Sequence, residues 1–175
     1  GITDEVIVAA PPGFSRRTAR MLPGEARVIE GSDSRPETLE RLIDAASGEL
    51  LLFQFVARPF ASRGLYQSIL EAARRDGAAT ACLRTHTPIG LEHKGQIRLP
   101  PEPSLTGALQ TPRAFTRVTL DQWRDAKEAF DCMDACTPLN IPITAVHGEE
   151  TNVKITTPMD WEIARLVVAP RMNLA

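Results

Sequence analysis

The stretch Glu49-Leu-Leu-Leu-Phe-Gln-Phe-Val56 decides the fold. It holds too many consecutive apolar residues for a sheet with one wet face, so it reads as a strand covered on both sides, the mark of an α/β protein with a mainly parallel sheet. Upstream, Glu5-Val-Ile-Val-Ala-Ala10 is a shorter apolar run stopped by Pro11-Pro12-Gly13, and Ala26-Arg-Val-Ile29 is another. Just before the central strand, Ser34 and Glu37 are spaced as a capping box, Pro36 falls in the first turn, and Leu39, Leu42, Ile43 and Ala46 recur at helical spacing up to Gly48. Downstream, Leu65, Ile69, Ala72 and Ala73 predict a helix closing near Gly77, and Ala78-Ala-Thr-Ala-Cys-Leu83 resumes the strand pattern. Alternating strands and helices imply right-handed crossovers and a Rossmann-like, three-layer domain.

From Thr85 to Gln110 the alternation breaks down among Pro88, Pro100, Pro101 and Pro103, with one short strand expected at Gln96-Ile-Arg-Leu99. An excursion of that length is expected to be a protruding arm, and dimerisation through it is the first expectation. Thr119 is placed to cap a helix bearing Leu120, Trp123, Lys127 and Phe130; a strand from Ile141 to Val146 follows. Thr157-Pro158-Met-Asp160 starts a last helix, with Ile163, Ala164, Val167 and Val168 on its expected buried side.

The whole of residues 1–175 suits a single domain, since 43% of them are apolar. With 20 Lys and Arg against 22 Asp and Glu, no global field attracts nucleic acid or an anionic membrane, so an anion must be held locally. Cys82, Cys132 and Cys136 fit neither a disulfide framework nor a metal pair, and His86, His93 and His147 lack metal-ligand spacing. They read as the residues of a cytoplasmic protein with reduced thiols and no metal.

In such a fold the loops after the carboxyl ends of the strands carry the ligand. Gly31-Ser-Asp-Ser-Arg35 combines hydroxyls and a cation ahead of a helix N-terminus. Ala57-Arg58-Pro59 sets a guanidinium at the end of the most buried strand, and Gln110-Thr111-Pro112-Arg113 closes the arm. Asn152 and Lys154, two residues apart on an extended segment, share one side of it ahead of a threonine-capped helix.

The run GEETNVKITTPMDWEIA from Gly148, with MDAC at Met133 to Cys136 and QTPRAF at Gln110 to Phe115, resembles the C-terminal half of the cytidylyltransferases that activate methylerythritol phosphate or ribitol phosphate. GSDSRPETL at Gly31 to Leu39 resembles that family's GG-x-x-R-x-x-S loop, and FQFVARPF at Phe53 to Phe60 its strand ending in HDAARP or HDSVRPF. The resemblance covers essentially the whole chain in order. It implies cytidylyl transfer from CTP to a polyol phosphate, with Ser32, Asp33 and Thr38 at the positions that contact cytidine. Thr87, Thr111 and Lys154 fall where the acceptor phosphate is held, and Arg58 matches the arginine closing the strand motif.

The chain also departs from that pattern. It begins where the third family strand would, without the glycine-rich loop and lysine that wrap the triphosphate. Phe55 replaces the metal-associated aspartate and Gln54 the histidine; Met133 replaces the threonine of a TDA motif, and Ser32 a glycine. A phenyl ring cannot coordinate Mg²⁺, which demands oxygen ligands. The expectation is a diverged protein, using no cofactor by itself. It keeps a pocket for a small anionic or hydroxylated ligand, with Lys154, Arg58 and Thr87 as acting residues and Ser32, Asp33, Arg35, Thr38, Phe55, Thr111 and Asn152 as binding residues. The alternative is the C-terminal part of an active enzyme using CTP and Mg²⁺. Should the first family strand be missing, the sheet would lack a central member, leaving apolar edges that need a partner chain or a rearranged strand order.

Overall fold

In the computed structural model, β3 (Leu50–Phe53) begins one residue after the start of the apolar run and ends before Gln54. The structure describes residues 2–87, 89–100, 102, 106–125 and 140–172, without the side chains of 125 and 167–172. Strand β3 borders a four-stranded sheet ordered β3-β7-β4-β8, with β7 (Gly107–Thr116), β4 (Ala78–Arg84) and β8 (Thr144–His147). Strand β7 is antiparallel to both neighbours and β4 is parallel to β8, so β3, β4 and β8 share one direction and β7 alone is reversed. A separate parallel pair is made by β1 (Ile7–Ala10) and β2 (Arg27–Glu30).

Side chains alternate across β3, which explains why an unbroken apolar run is needed there. Leu51 and Phe53 join Leu39 and Ile43 of α2 (Arg35–Ala45), Phe115 of β7, and Leu120 and Trp123 of α4 (Arg117–Asp125) in one core. Phe53 and Phe115 meet edge to face, with ring centres 6.0 Å apart. On the opposite face, Leu50 and Leu52 pack against the core that Leu65, Ile69, Ala72 and Ala73 of α3 (Arg63–Asp76) form with Ala79, Ala81 and Ala114. Alanines across β4 and β7 let α3 lie close to the sheet; each fully buried Leu, Ile or Phe contributes about 1.5–3 kcal/mol.

Helix ends follow local chemistry. Ser34 and Ser62 cap α2 and α3 through their hydroxyls, and Gly77 closes α3 at φ 89°, where an added Cβ would come within 3.1 Å of Thr119 Oγ1. The Arg117 guanidinium donates to the Ala46 and Gly48 carbonyls at 2.8 and 2.9 Å, satisfying acceptors that the end of α2 leaves open. The start of α4 differs from expectation. Thr119 lies inside that helix, its amide donating to Thr116 Oγ1 at 3.4 Å, so Thr116 takes the capping role. Lys127 and Phe130 lie outside the described residues.

Further differences lie at the edges. A short helix α1 (Ser15–Ala19) follows β1, with no apolar face to announce it. The arm contains a hairpin of β5 (Leu91–His93) and β6 (Gln96–Arg98), and its last residues already belong to β7. The last strand is shorter than expected, as Ile141 and Ile143 precede it and pack on the α4 core. Helix α5 (Pro158–Met172) starts as expected, and Ala164 is buried, but Ile163 is exposed alongside Trp161 and Leu166.

Candidate functional site

The site follows from an irregularity in β7. Opposite β4 the register slips, so that Thr80 faces Arg113 and Ala81 faces Gln110, leaving Thr111 and Pro112 as extra residues; their peptide bond is cis. Such a bulge bends a strand and re-aims its side chains. It turns Thr111 toward the end of β3, where the Phe55 amide donates to Thr111 Oγ1 at 3.4 Å. The loop after β3 is folded on itself by the Arg58 amide donating to the Phe55 carbonyl at 2.9 Å, and the Gln54 amide group donates to the Arg58 carbonyl.

That fold carries the Arg58 guanidinium across to the segment after β8. It donates to the Asn152 carbonyl at 2.6 Å and to the Leu109 carbonyl at 3.4 Å. Burial lowers the Arg58 pKa from its ordinary value, and repulsion from Arg113 lowers it further. Asn152 is fully buried; its side-chain amide donates to the Thr111 carbonyl at 2.8 Å and to Gln110 Oε1 at 3.4 Å. Its Oδ1 is buried without a hydrogen-bond partner. Gln110 completes the lock: its amide donates to the Glu149 carbonyl at 3.0 Å, and its Oε1 accepts from the Glu149 amide at 3.1 Å. Gly148 is required at that turn, because an added Cβ would come within 2.6 Å of Gln110 Oε1. Glu149 in turn accepts from the Ser62 amide at 3.0 Å and from the Ser62 hydroxyl.

Lys154 is joined to this cluster through the backbone, since the Ile155 amide donates to the Ala57 carbonyl at 2.8 Å, next to Arg58. Its side chain is exposed, and no hydrogen bond or ion pair holds it among the described residues. Thr87, expected beside these groups, is also exposed and bonds within its own loop, its amide donating to Thr85 Oγ1 at 3.1 Å; no contact brings it to Arg58 or Thr111.

The loop from Ser32 to Thr38 approaches from β2. Its hydroxyls are engaged internally: Thr38 Oγ1 accepts from the Ser32 amide at 2.9 Å and donates to the Ser34 carbonyl at 2.9 Å, and the Ser32 hydroxyl donates to Glu37. Asp33 is exposed. Arg35 reaches the β3 side, its guanidinium carbon 4.5 Å from the centre of the Phe55 ring, and Arg113 lies over that ring at 5.4 Å. Cations over an aromatic face are held by its quadrupole. Gln110, Arg113 and Glu149 were not singled out as site residues from the sequence, although Arg113 lies two positions from Thr111 and Gln110 directly before it.

Strand ends converging on a bulged strand, with an arginine, a threonine and a buried asparagine between them, form the candidate site of this α/β protein. Comparison with known proteins gives the family: residues 1–170 match 2-C-methyl-D-erythritol 4-phosphate cytidylyltransferase, and the chain belongs to that family. It is 38% identical over 167 residues to the 2-C-methyl-D-erythritol 4-phosphate cytidylyltransferase of Thermus thermophilus, covering 91% of this chain and 76% of that one. A relative of the same name from Rhodococcus jostii is 30% identical over 173 residues, covering 96% and 76%. The solved Thermus thermophilus structure superimposes with a TM-score of 0.80 at 35% identity, over 95% of this chain and 82% of that one. The structure of 4-diphosphocytidyl-2C-methyl-D-erythritolsynthase from Anaerococcus prevotii, at 22% identity and a TM-score of 0.83, shares the fold.

The divalent ion implied by the family resemblance does not fit the residues around position 55. Phe55 offers no oxygen, and the groups stacked on its ring are guanidinium cations, which repel a second cation. Among the described residues no group of three His, Cys, Asp or Glu side chains converges to hold a metal. Met133 lies outside the described residues.

Proposed function

We propose that this chain binds a small anionic or hydroxylated molecule of the polyol-phosphate kind and does not by itself transfer a cytidylyl group from CTP to it. The carrying observation is Phe55 with Arg35 and Arg113 over its ring, at the position where the resemblance calls for a carboxylate. Transfer between phosphates depends on neutralising the charge that develops on the reacting oxygens. Arg58, Thr111 and Lys154 are the acceptor-side groups that remain. In this reading Arg58 and Lys154 supply charge-assisted hydrogen bonds, Thr111 and Asn152 fix orientation, and Phe55 forms an apolar wall against the ligand's carbon skeleton. Thr87 contributes only if its loop closes over the ligand, and Asp33 and Arg35 border the far side. The protein works in the cytoplasm as a homodimer through the arm, where Leu91, Ile97 and Leu99 are exposed.

Calorimetric titration with ribitol 5-phosphate, 2-C-methylerythritol 4-phosphate and CTP tests this reading. The expected result is saturable binding of a polyol phosphate in preference to CTP, lost by roughly tenfold or more in Arg58→Ala, as removal of one charge-assisted bond predicts. Binding of CTP alone, or polyol-phosphate binding that Arg58→Ala leaves unchanged, overturns it. A second reading is favoured by the 38% identity to a named cytidylyltransferase across 91% of the chain. In that reading, the chain acts in CTP-dependent transfer with a triphosphate-binding segment supplied from elsewhere.

A further inference from the structure

Three guanidinium groups from distant parts of the chain converge where β3 ends. Arg35 is the first residue of α2, Arg58 follows β3, and Arg113 stands in β7 opposite Phe53. Residues opposite each other in an antiparallel pair share a face of the sheet, so Arg113 lies on the side of Phe53, which packs in the core beneath α2. Phe55, two residues beyond Phe53, collects two of these cations. The guanidinium carbons of Arg35 and Arg113 lie 4.5 and 5.4 Å from the centre of its ring.

Gathering these charges is costly. Arg113 is only 9% exposed, so its guanidinium is largely withdrawn from water, and its repulsion adds to the burial that lowers the Arg58 pKa. Like charges brought this close are stabilised by an anion that enters between them. A ring holds a guanidinium through its charge and uses none of its N–H donors, which lie in the guanidinium plane as a fork that matches the oxygens of a phosphate. Such a pair supplies a phosphoryl oxygen with positive charge at short range, as a divalent ion does, and needs no carboxylate cage.

We propose that Arg35 and Arg113, held on the Phe55 ring, form an anion clamp that binds a phosphoryl group directly and without a divalent metal ion. The clamp deepens the reading of this site as one for polyol phosphates, and rests on that reading for what the phosphate is attached to. Arg113, buried in β7, is its fixed arm; Arg35, exposed at the start of α2, is its adjustable one; Phe55 holds both beside the same oxygens. One consequence separates the clamp from a metal-dependent site. Added Mg²⁺ competes with the guanidinium groups for the phosphate oxygens and is itself repelled by them, so it weakens binding here, whereas at a metal site it strengthens binding.

The probe is inorganic pyrophosphate, titrated calorimetrically at constant ionic strength, once with EDTA and once with Mg²⁺. The expected result is saturable binding in EDTA that Mg²⁺ weakens. Arg35→Gln and Arg113→Gln are each expected to weaken it roughly tenfold, as loss of one charge-assisted bond predicts. Arg17→Gln, which removes the same charge from exposed α1, is expected to leave it unchanged. Because Arg35 is exposed, Arg35→Gln decides the outcome even where Arg113→Gln fails to fold. Four results would overturn the proposal: no saturable binding in EDTA, binding that Mg²⁺ strengthens, an equal loss in Arg17→Gln, or full affinity in Arg35→Gln. Titration with 2-C-methylerythritol 4-phosphate keeps the two readings apart. If Arg58→Ala weakens that ligand while Arg35→Gln leaves pyrophosphate unaffected, the clamp is overturned and the polyol-phosphate reading stands. If pyrophosphate behaves as expected and no polyol phosphate binds, that reading is overturned and the clamp stands.

Discussion

The cluster around Asn152 and the loop from Ser32 to Thr38 are both polar, both lie at strand ends, and both match motifs of one family, yet they are built in opposite ways. Around Asn152 the hydrogen bonds run between elements distant in sequence: Arg58 to the Asn152 and Leu109 carbonyls, Asn152 to Thr111, Gln110 to Glu149. In the Ser32 loop they run within seven consecutive residues, and the hydroxyls that would reach a ligand are occupied by their own backbone. Long-range polar bonds fix the relative placement of elements and hence a pocket; local ones fix a helix start.

The largest effect is expected at Asn152. Replacing it by Ala removes two donors from a fully buried position and leaves the Thr111 carbonyl without its partner, so stability to urea should fall by about 1–3 kcal/mol. Polyol-phosphate binding should disappear with it. An Asn152→Ala protein with unchanged midpoint and affinity would remove the distinction between the two regions. Thr38→Val sharpens the contrast from the other side: it should lower stability by about 1 kcal/mol, through loss of the bonds to Ser32 and Ser34, while ligand affinity stays the same. A selective loss of affinity in that variant would return the Ser32 loop to the pocket.

The smallest effect belongs to another local cap. Asp160 accepts from the Thr156 hydroxyl and from the Thr156 and Thr157 amides, each at 2.8 Å, and these bonds lower its pKa from 3.8 to about 2. Because the folded value lies below the ordinary one, the stabilisation is complete above pH 3.8 and disappears as the pH falls toward 2. Helical circular dichroism should show the start of α5 fraying across that window, and Asp160→Asn should show no such step. A step that survives in Asp160→Asn would assign it to another carboxylate.

Much of this architecture was legible because burial writes itself into side-chain pattern. The unbroken run at Leu50–Phe53 required two covering layers and has them, and the apolar spacing in α2 and α3 matched their buried residues. Strand β7 was hidden because Thr111-Pro112 interrupts it, and a proline reads as the end of a strand unless a bulge excuses its missing donor. Helix α5 misled in the other direction, since an apolar spacing predicts burial and Ile163 has none. At the site, Arg58, Thr111 and Asn152 were found through their motifs and are brought together, whereas Thr87 was placed by resemblance alone and lies apart from them. Gln110 and Glu149 stood inside quoted motifs, but their locking role stayed hidden because it depends on which strands become neighbours.

Pyrophosphate release from CTP, measured with Mg²⁺ and each polyol phosphate in turn, tests the central claim most directly. The prediction is no release above the enzyme-free rate with this chain, and none with Phe55→Asp, because Arg35 and Arg113 would pair with the new carboxylate and keep a divalent ion from it. Sustained turnover by the unaltered chain would contradict the claim and establish the CTP-dependent reading in its place.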